Sequence, residues 1–198
     1  MFYEVERNAH GLPNDPFKAL AAPRPIAWVS SLSGIGTVNL APHSYFNAVS
    51  DNPHYLVFGS TGRKDTLRNI EQTGEFAINL ATWDLREAMN ATSARVPPEV
   101  DEFELAGLAK ADCRLIKPPR VAASPACFEC KLFQIVPLPG STEPPVNFAV
   151  IGRVVGIHIE ERFIVEGRVN TAAMKPIARM GYSEYATVTE AWRMRRPD

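Results

Sequence analysis

No apolar run in this chain approaches the roughly 20 residues that a membrane-spanning helix requires. The opening residues, Met1-Phe2-Tyr3-Glu4-Val5-Glu6-Arg7, carry acids early and lack the apolar stretch of a secretory leader. A cytoplasmic location without a membrane partner is therefore expected. Neither sign of charge is in excess: 21 Lys plus Arg stand against 22 Asp plus Glu, a formal net charge of -1. That balance argues against a dedicated nucleic-acid binder and leaves room for one local cationic pocket. Cysteine is scarce, and Cys113, Cys127 and Cys130 are too few and odd in number for a disulfide framework. Cys127 and Cys130 have CxxC spacing, but they lie in Ala126 to Val136, which reads as a strand. Residues three apart on a strand point to opposite faces, so the pair diverges. His10, His43, His54 and His158 are scattered, and none stands at ligand spacing from a second His, Cys or acid. No metal site is expected. Gly34-Ile35-Gly36 lacks the third glycine of a dinucleotide fingerprint and is followed by a strand pattern rather than a helix.

What is present is mostly extended chain. The 198 residues, 45% of them hydrophobic, are enough for a sizeable core in a single domain spanning 1–198, with its centre over about 20–185. Pro25 to Leu32, a turn at Ser33-Gly34-Ile35-Gly36, and Thr37 to Leu40 read as a β-hairpin. Tyr55 to Gly59 and Phe76 to Leu80 are further strands, separated by a helix over about Thr66 to Thr73 that ends at Gly74. Asp84 starts a second helix with Leu85, Ala88 and Met89 on its apolar face, closed by Pro97-Pro98. Ala126 to Val136 and Asn147 to Ile159 are long strands flanking a Pro/Gly-rich loop, Pro137 to Pro145. Phe163-Ile164-Val165 is expected to make a hairpin with the second of them. Many strands with few short helices predict an all-β-dominated fold, a closed antiparallel barrel.

The densest chemistry sits at Ser60-Thr61-Gly62-Arg63-Lys64-Asp65-Thr66, where a strand pattern runs into a helix pattern. Unpaired N–H groups at a helix start and the helix dipole favour an anion there. Arg63 and Lys64 add charge, and Ser60, Thr61 and Thr66 add hydroxyl donors. These residues suit a phosphate. They equally suit an ordinary turn in which Asp65 caps the helix and spends one N–H group itself.

Four further segments stand in order: Arg24-Pro25-Ile26-Ala27-Trp28-Val29-Ser30-Ser31, Asn39-Leu40-Ala41-Pro42-His43-Ser44-Tyr45-Phe46-Asn47, Lys64-Asp65-Thr66-Leu67-Arg68-Asn69-Ile70 and Gly74-Glu75-Phe76-Ala77-Ile78-Asn79-Leu80. Together with Asp101-Glu102-Phe103-Glu104-Leu105-Ala106-Gly107-Leu108 and Glu129-Cys130-Lys131-Leu132, they resemble the flavin reductase-like family, the FMN-binding split barrels. The resemblance runs from about Arg24 to Tyr185. It implies a six-stranded Greek-key barrel, a homodimer, and FMN near the dimer interface. It also implies FMN contacts from Val29, Ser30 and Ser31 on the ribityl–phosphate side. Ala41, Pro42, His43, Ser44, Asn47 and Ala48 would lie along the isoalloxazine edge. Ser60, Thr61, Arg63, Lys64, Asp65 and Thr66 would hold the phosphate. His43 departs from the family, which commonly has an aromatic residue there, usually Phe. It is the one candidate catalytic side chain, in contact with nicotinamide, substrate or flavin; the alternative is a hydrogen-bonded histidine at the barrel rim.

Hydride transfer from a nicotinamide to a flavin is cofactor chemistry and requires no protein nucleophile or metal. The resemblance implies an NAD(P)H:flavin oxidoreductase, with NAD(P)H as donor and a monooxygenase as a possible partner. Two alternatives stay open: an FMN electron carrier or ferric reductase, and a barrel that has lost its flavin. Trp28 reads as core or dimer interface. Arg179 and Tyr182 read either as cofactor contacts or as a solvated face.

Overall fold

β-Branched and aromatic residues in alternation favour half-buried strands, and the longest such stretches build the centre of the sheet. In the computed structural model, which describes residues 1–140 and 146–197, seven strands form one antiparallel sheet. They are β1 (Ala27–Leu32), β2 (Val38–His43), β3 (Phe46–Asp51), β4 (His54–Thr61), β5 (Glu75–Leu80), β6 (Ala126–Leu138) and β7 (Asn147–Ile159). Their order across the sheet is β2-β1-β5-β6-β7-β4-β3. The two edge strands, β2 and β3, are consecutive in sequence and joined only through Ser44 and Tyr45. One bent segment thus supplies both edges, and the sheet must curl until they meet. Counted as one strand, β2 and β3 bring the barrel to the expected six. Taken with β1, β4 and β5, they give the spatial order of a Greek key, the fourth strand lying beside the first.

The seam closes where the Gly59 N–H donates to the Tyr45 carbonyl at 2.7 Å. A Cβ at position 59 would stand 2.9 Å from Tyr45 Cβ, so glycine is required by close approach there. Helix α1 (Asp65–Thr73) buries Leu67 and Ile70, three residues apart on one face, against β1. They join Val29, Phe58, Phe76, Ile78, Cys130 and Val150 in the barrel core. The two-residue period of β1 sends Ala27 and Val29 into this core and Trp28 to a second cluster. There Trp28 packs with Leu40, Met89 of helix α2 (Arg86–Ala91) and Phe103 of helix α3 (Glu102–Leu105). Trp28 is wholly buried, and its Nε1–H donates to Thr92 Oγ1 at 2.9 Å. Cys130 faces the barrel core while Cys127 joins Ala77 and Ile116 on the other face.

Two expectations are corrected. Phe163-Ile164-Val165 does not pair with β7: Ile164–Val165 pairs with Arg168–Val169. Between them Glu166 and Gly167 both have positive φ, 50° and 73°, the backbone of a tight two-residue hairpin that closes locally. Pro137 and Leu138 belong to β6 rather than to a loop, and residues 141–145 of that expected loop lie outside the described residues. Phe46–Asp51 is a strand that the sequence pattern hides, because all but its first residue are exposed and no apolar alternation marks it. Among the described residues no helix is long and apolar enough to cross a membrane.

Candidate functional site

The end of β4 and the start of α1 meet at Ser60 to Thr66. The turn is fixed by Gly62 N–H donating to Val146 O at 2.6 Å and by Ser60 Oγ donating to Gly62 O at 3.1 Å. Lys64 occupies the N-cap position in extended backbone, and among the described residues no side chain caps the helix. Asp65, the cap that the sequence offered, is the first helical residue and pairs with Arg68 instead. Thr66 spends its hydroxyl on Asn39 Oδ1 at 2.8 Å. The N–H groups of the first turn therefore keep their full electropositive character.

A cavity of about 710 Å³ opens over this helix start, within the size range of small-molecule sites. Ala41, Pro42, His43 and Ser44 line it from the end of β2, and Ser60, Thr61, Arg63, Lys64, Asp65 and Thr66 from the turn. Arg68, Asn39, Glu102 and the loop Thr92-Ser93-Ala94-Arg95-Val96 complete the wall. Neither Glu102 nor the loop was legible as part of a site. The loop reaches the cavity because Trp28 Nε1–H holds Thr92, whose own hydroxyl donates to Met89 O at 2.8 Å.

Five residues that the resemblance assigns to cofactor contact do not line the cavity. Val29 is an apolar core residue. Ser30 is buried and its hydroxyl donates to Pro119 O. Ser31 is buried beneath the cavity, where its hydroxyl accepts from Asn69 Nδ2 at 3.2 Å and reaches Asn39 Oδ1 at 3.4 Å. Asn47 and Ala48 are exposed on β3, and Asn47 Oδ1 accepts from the Ala48 N–H at 2.8 Å. Of the asparagines, Asn39 is the one at the cavity. Asn79 is buried and bonded to Trp28 O and Val121 N.

Charge at the rim is only partly neutralised. Arg63 pairs with Glu71 and stacks over Phe148, 4.9 Å from its ring centre. Arg68 pairs with Asp65 and donates to Arg63 O at 2.9 Å. Among the described residues no acid lies within ion-pair reach of Lys64 or Arg95. Below, the buried Glu102 accepts from Asn39 Nδ2 at 3.0 Å and from the Leu40 N–H at 2.9 Å. Burial raises its pKa above the ordinary carboxylate value despite these bonds. His43 lies against Phe58, ring centres 4.8 Å apart. Burial lowers its pKa to about 4, outweighing the opposing hydrogen bond to Gly59 O, and Lys64 adds to the lowering. The ring is therefore neutral near pH 7. Its Nδ1 stands 3.3 Å from Gly59 O, an acceptor, so Nδ1 carries the proton and Nε2 is a bare acceptor. Nε2 is buried and has no partner among the described residues.

A smaller cavity of about 300 Å³ adjoins the first and shares Pro42, Ser44 and Ser93 with it. Arg179 and Tyr182 line it together with Tyr45. Arg179 donates to Tyr182 O at 2.5 Å and stacks over Tyr185 at 4.5 Å.

The family model described as "Flavin reductase like domain" matches residues 20–169. An uncharacterized protein of Aquifex aeolicus is 37% identical over 84% of this chain and 85% of its own length. Nitrilotriacetate monooxygenase component B from Bacillus cereus superposes with a TM-score of 0.87 at 34% identity, covering 98% of this chain and 99% of that one. The 2-nitrobenzoate 2-nitroreductase of Pseudomonas fluorescens gives a TM-score of 0.81 at 30% identity, covering 96% and 94%.

Proposed function

The chain belongs to the flavin reductase-like family of split-barrel proteins, and on that premise we propose that it binds FMN at the start of α1 and acts as an NAD(P)H:flavin oxidoreductase. The observation that carries this reading is the uncapped start of α1 with Lys64 beside it, facing a cavity large enough for a flavin. The fit extends to the rest of the wall. Thr61 offers a hydroxyl, Arg95 offers a cation with no acid in ion-pair reach among the described residues, and the bare Nε2 of His43 offers an acceptor to a donor on the ligand. Bound FMN would supply the two-electron chemistry, accepting hydride from a nicotinamide.

The chain's own contribution is placement and charge. Lys64, Arg95 and the first-turn N–H groups hold a phosphate dianion, as charge-assisted hydrogen bonds do most strongly. Asn39, fixed between Thr66 and Glu102, holds the floor rigid beneath it. Neutral His43 orients the ligand without adding charge, and the adjoining cavity by Arg179 and Tyr182 gives a second small molecule room to approach. Phe133, Leu138, Val146 and Ile157, exposed on β6 and β7 and beside β7, favour burial against a second copy as a homodimer. The monooxygenase-component neighbour supports a monooxygenase as the consumer of reduced flavin.

Fluorescence titration of the flavin-stripped protein with FMN and with riboflavin tests this. Tight FMN and weak riboflavin binding, followed by FMN reduction under NADH or NADPH, is the expected result. Equal affinity for both flavins overturns the phosphate site. Tight FMN binding without nicotinamide turnover makes the protein a flavin electron carrier.

A further inference from the structure

On the outer face of the barrel, away from the larger cavity, three separate segments converge. Cys127 and His158 are directly opposed across β6 and β7, and Glu129 lies two residues along β6 on the same face. Gly156 leaves room for the Glu129 side chain; a Cβ there would stand 3.4 Å from the Glu129 carboxyl carbon. The loop after Ala111 crosses above and brings Cys113. The ligating atoms of Cys113, Glu129 and His158 all lie within 4.8 Å of one another.

We propose that Cys113, Glu129 and His158 form a binding site for a divalent cation of the zinc class. The donor set is thiolate sulfur, imidazole nitrogen and carboxylate oxygen, the borderline mixture that Zn²⁺ takes. Glu129 is oriented as a ligating carboxylate is: its two oxygens accept from the N–H groups of Arg114 and Leu115, both at 2.7 Å. His158 Nε2 stands 2.5 Å from Glu129 Oε1. The ion replaces this hydrogen bond; the imidazole proton moves to Nδ1, and the Cys113 thiol releases one proton to solvent. Thiolate and carboxylate together balance the two positive charges.

The fourth position faces a cavity of about 390 Å³ lined by Glu129 and His158. Arg114, Arg120 and Glu160 also line it, and the Arg120 Nε is buried without a partner. Two guanidinium groups beside a cation oppose it, and they favour an anionic fourth ligand over water.

The test uses the full-length, reduced protein freed of metal by a chelator. Zn²⁺ is titrated in competition with a chromophoric chelator, and Co²⁺ is followed by difference absorption. One equivalent bound, with a thiolate-to-cobalt charge-transfer band, is expected. Cys113→Ser should abolish that band, and His158→Gln should weaken Zn²⁺ by at least about tenfold. Both variants should keep the wild-type circular dichroism. Absence of saturable binding, or binding unchanged in Cys113→Ser and His158→Gln, overturns the proposal. Flavin affinity is a separate readout, since the two cavities share no residue.

Discussion

The rim of the larger cavity and the layer just beneath it use similar residues in opposite ways. Beneath the cavity, Ser31, Asn39, Thr66, Asn69 and Glu102 spend their polar atoms on one another. At the rim, Lys64, Arg95, His43 Nε2 and the first turn of α1 spend theirs on nothing among the described residues. Buried polar groups that satisfy each other specify a structure. Polar groups left unsatisfied are poised for a ligand. Hydroxyl, amide and charge occur in both layers, so residue type does not tell them apart; hydrogen bonding does.

Substitution should separate the layers. Glu102→Ala strands the Leu40 N–H and Asn39 Nδ2, and should lower folding stability by about 3 kcal/mol. Urea unfolding checks this, and an unshifted midpoint would mean that the lower layer is not structural. Lys64→Ala should leave that midpoint almost unmoved and cost about 2 kcal/mol of FMN affinity, roughly thirtyfold, with riboflavin unaffected. A parallel loss for both flavins would put the phosphate elsewhere. Thr66→Val tests the boundary, since its hydroxyl points down to Asn39. About 1 kcal/mol of stability should go, with little change in the ratio of FMN to riboflavin affinity.

The remaining test concerns pH and His43. Its folded pKa of about 4 lies below the ordinary value of 6.5. Between these values the unfolded chain binds a proton that the folded chain refuses, so stability falls as pH drops from 6.5 towards 4. His43→Phe should flatten that part of the stability profile, weaken FMN by about one hydrogen bond's worth, ~1 kcal/mol, and alter NAD(P)H turnover. Unaltered kinetics in this variant would remove any role in the reaction.

The turn of Ser60 to Thr66 was legible because its parts are adjacent in sequence and a strand–helix junction is a local pattern. The long strands were legible for the same reason, although on β7 Ile157 and Ile159 face solvent while Gly156 and His158 are half-buried. Arg95 and Glu102 were not, because only the packing of Trp28, Thr92 and Phe103 carries them to the cavity. The resemblance assigns Ser30 and Ser31 to cofactor contact, yet both are buried in β1 and lie away from the cavity lining. Asp65 is a good cap by propensity, and pairing with Arg68 diverts it. The four histidines stand at no ligand spacing, but His158 meets Glu129 from 29 residues away through strand pairing.

Gly59 bears on both the seam of the barrel and the wall of its cavity. Its N–H fastens Tyr45, and its carbonyl faces His43. A ligand pressing on His43 acts as a buckle across the hem of the sheet. The empty protein should gape here before it opens anywhere else, and the Gly59 amide should exchange with deuterium fastest when the cavity is vacant. Loading the cavity would then brace a seam that the Gly59–Tyr45 bond already closes.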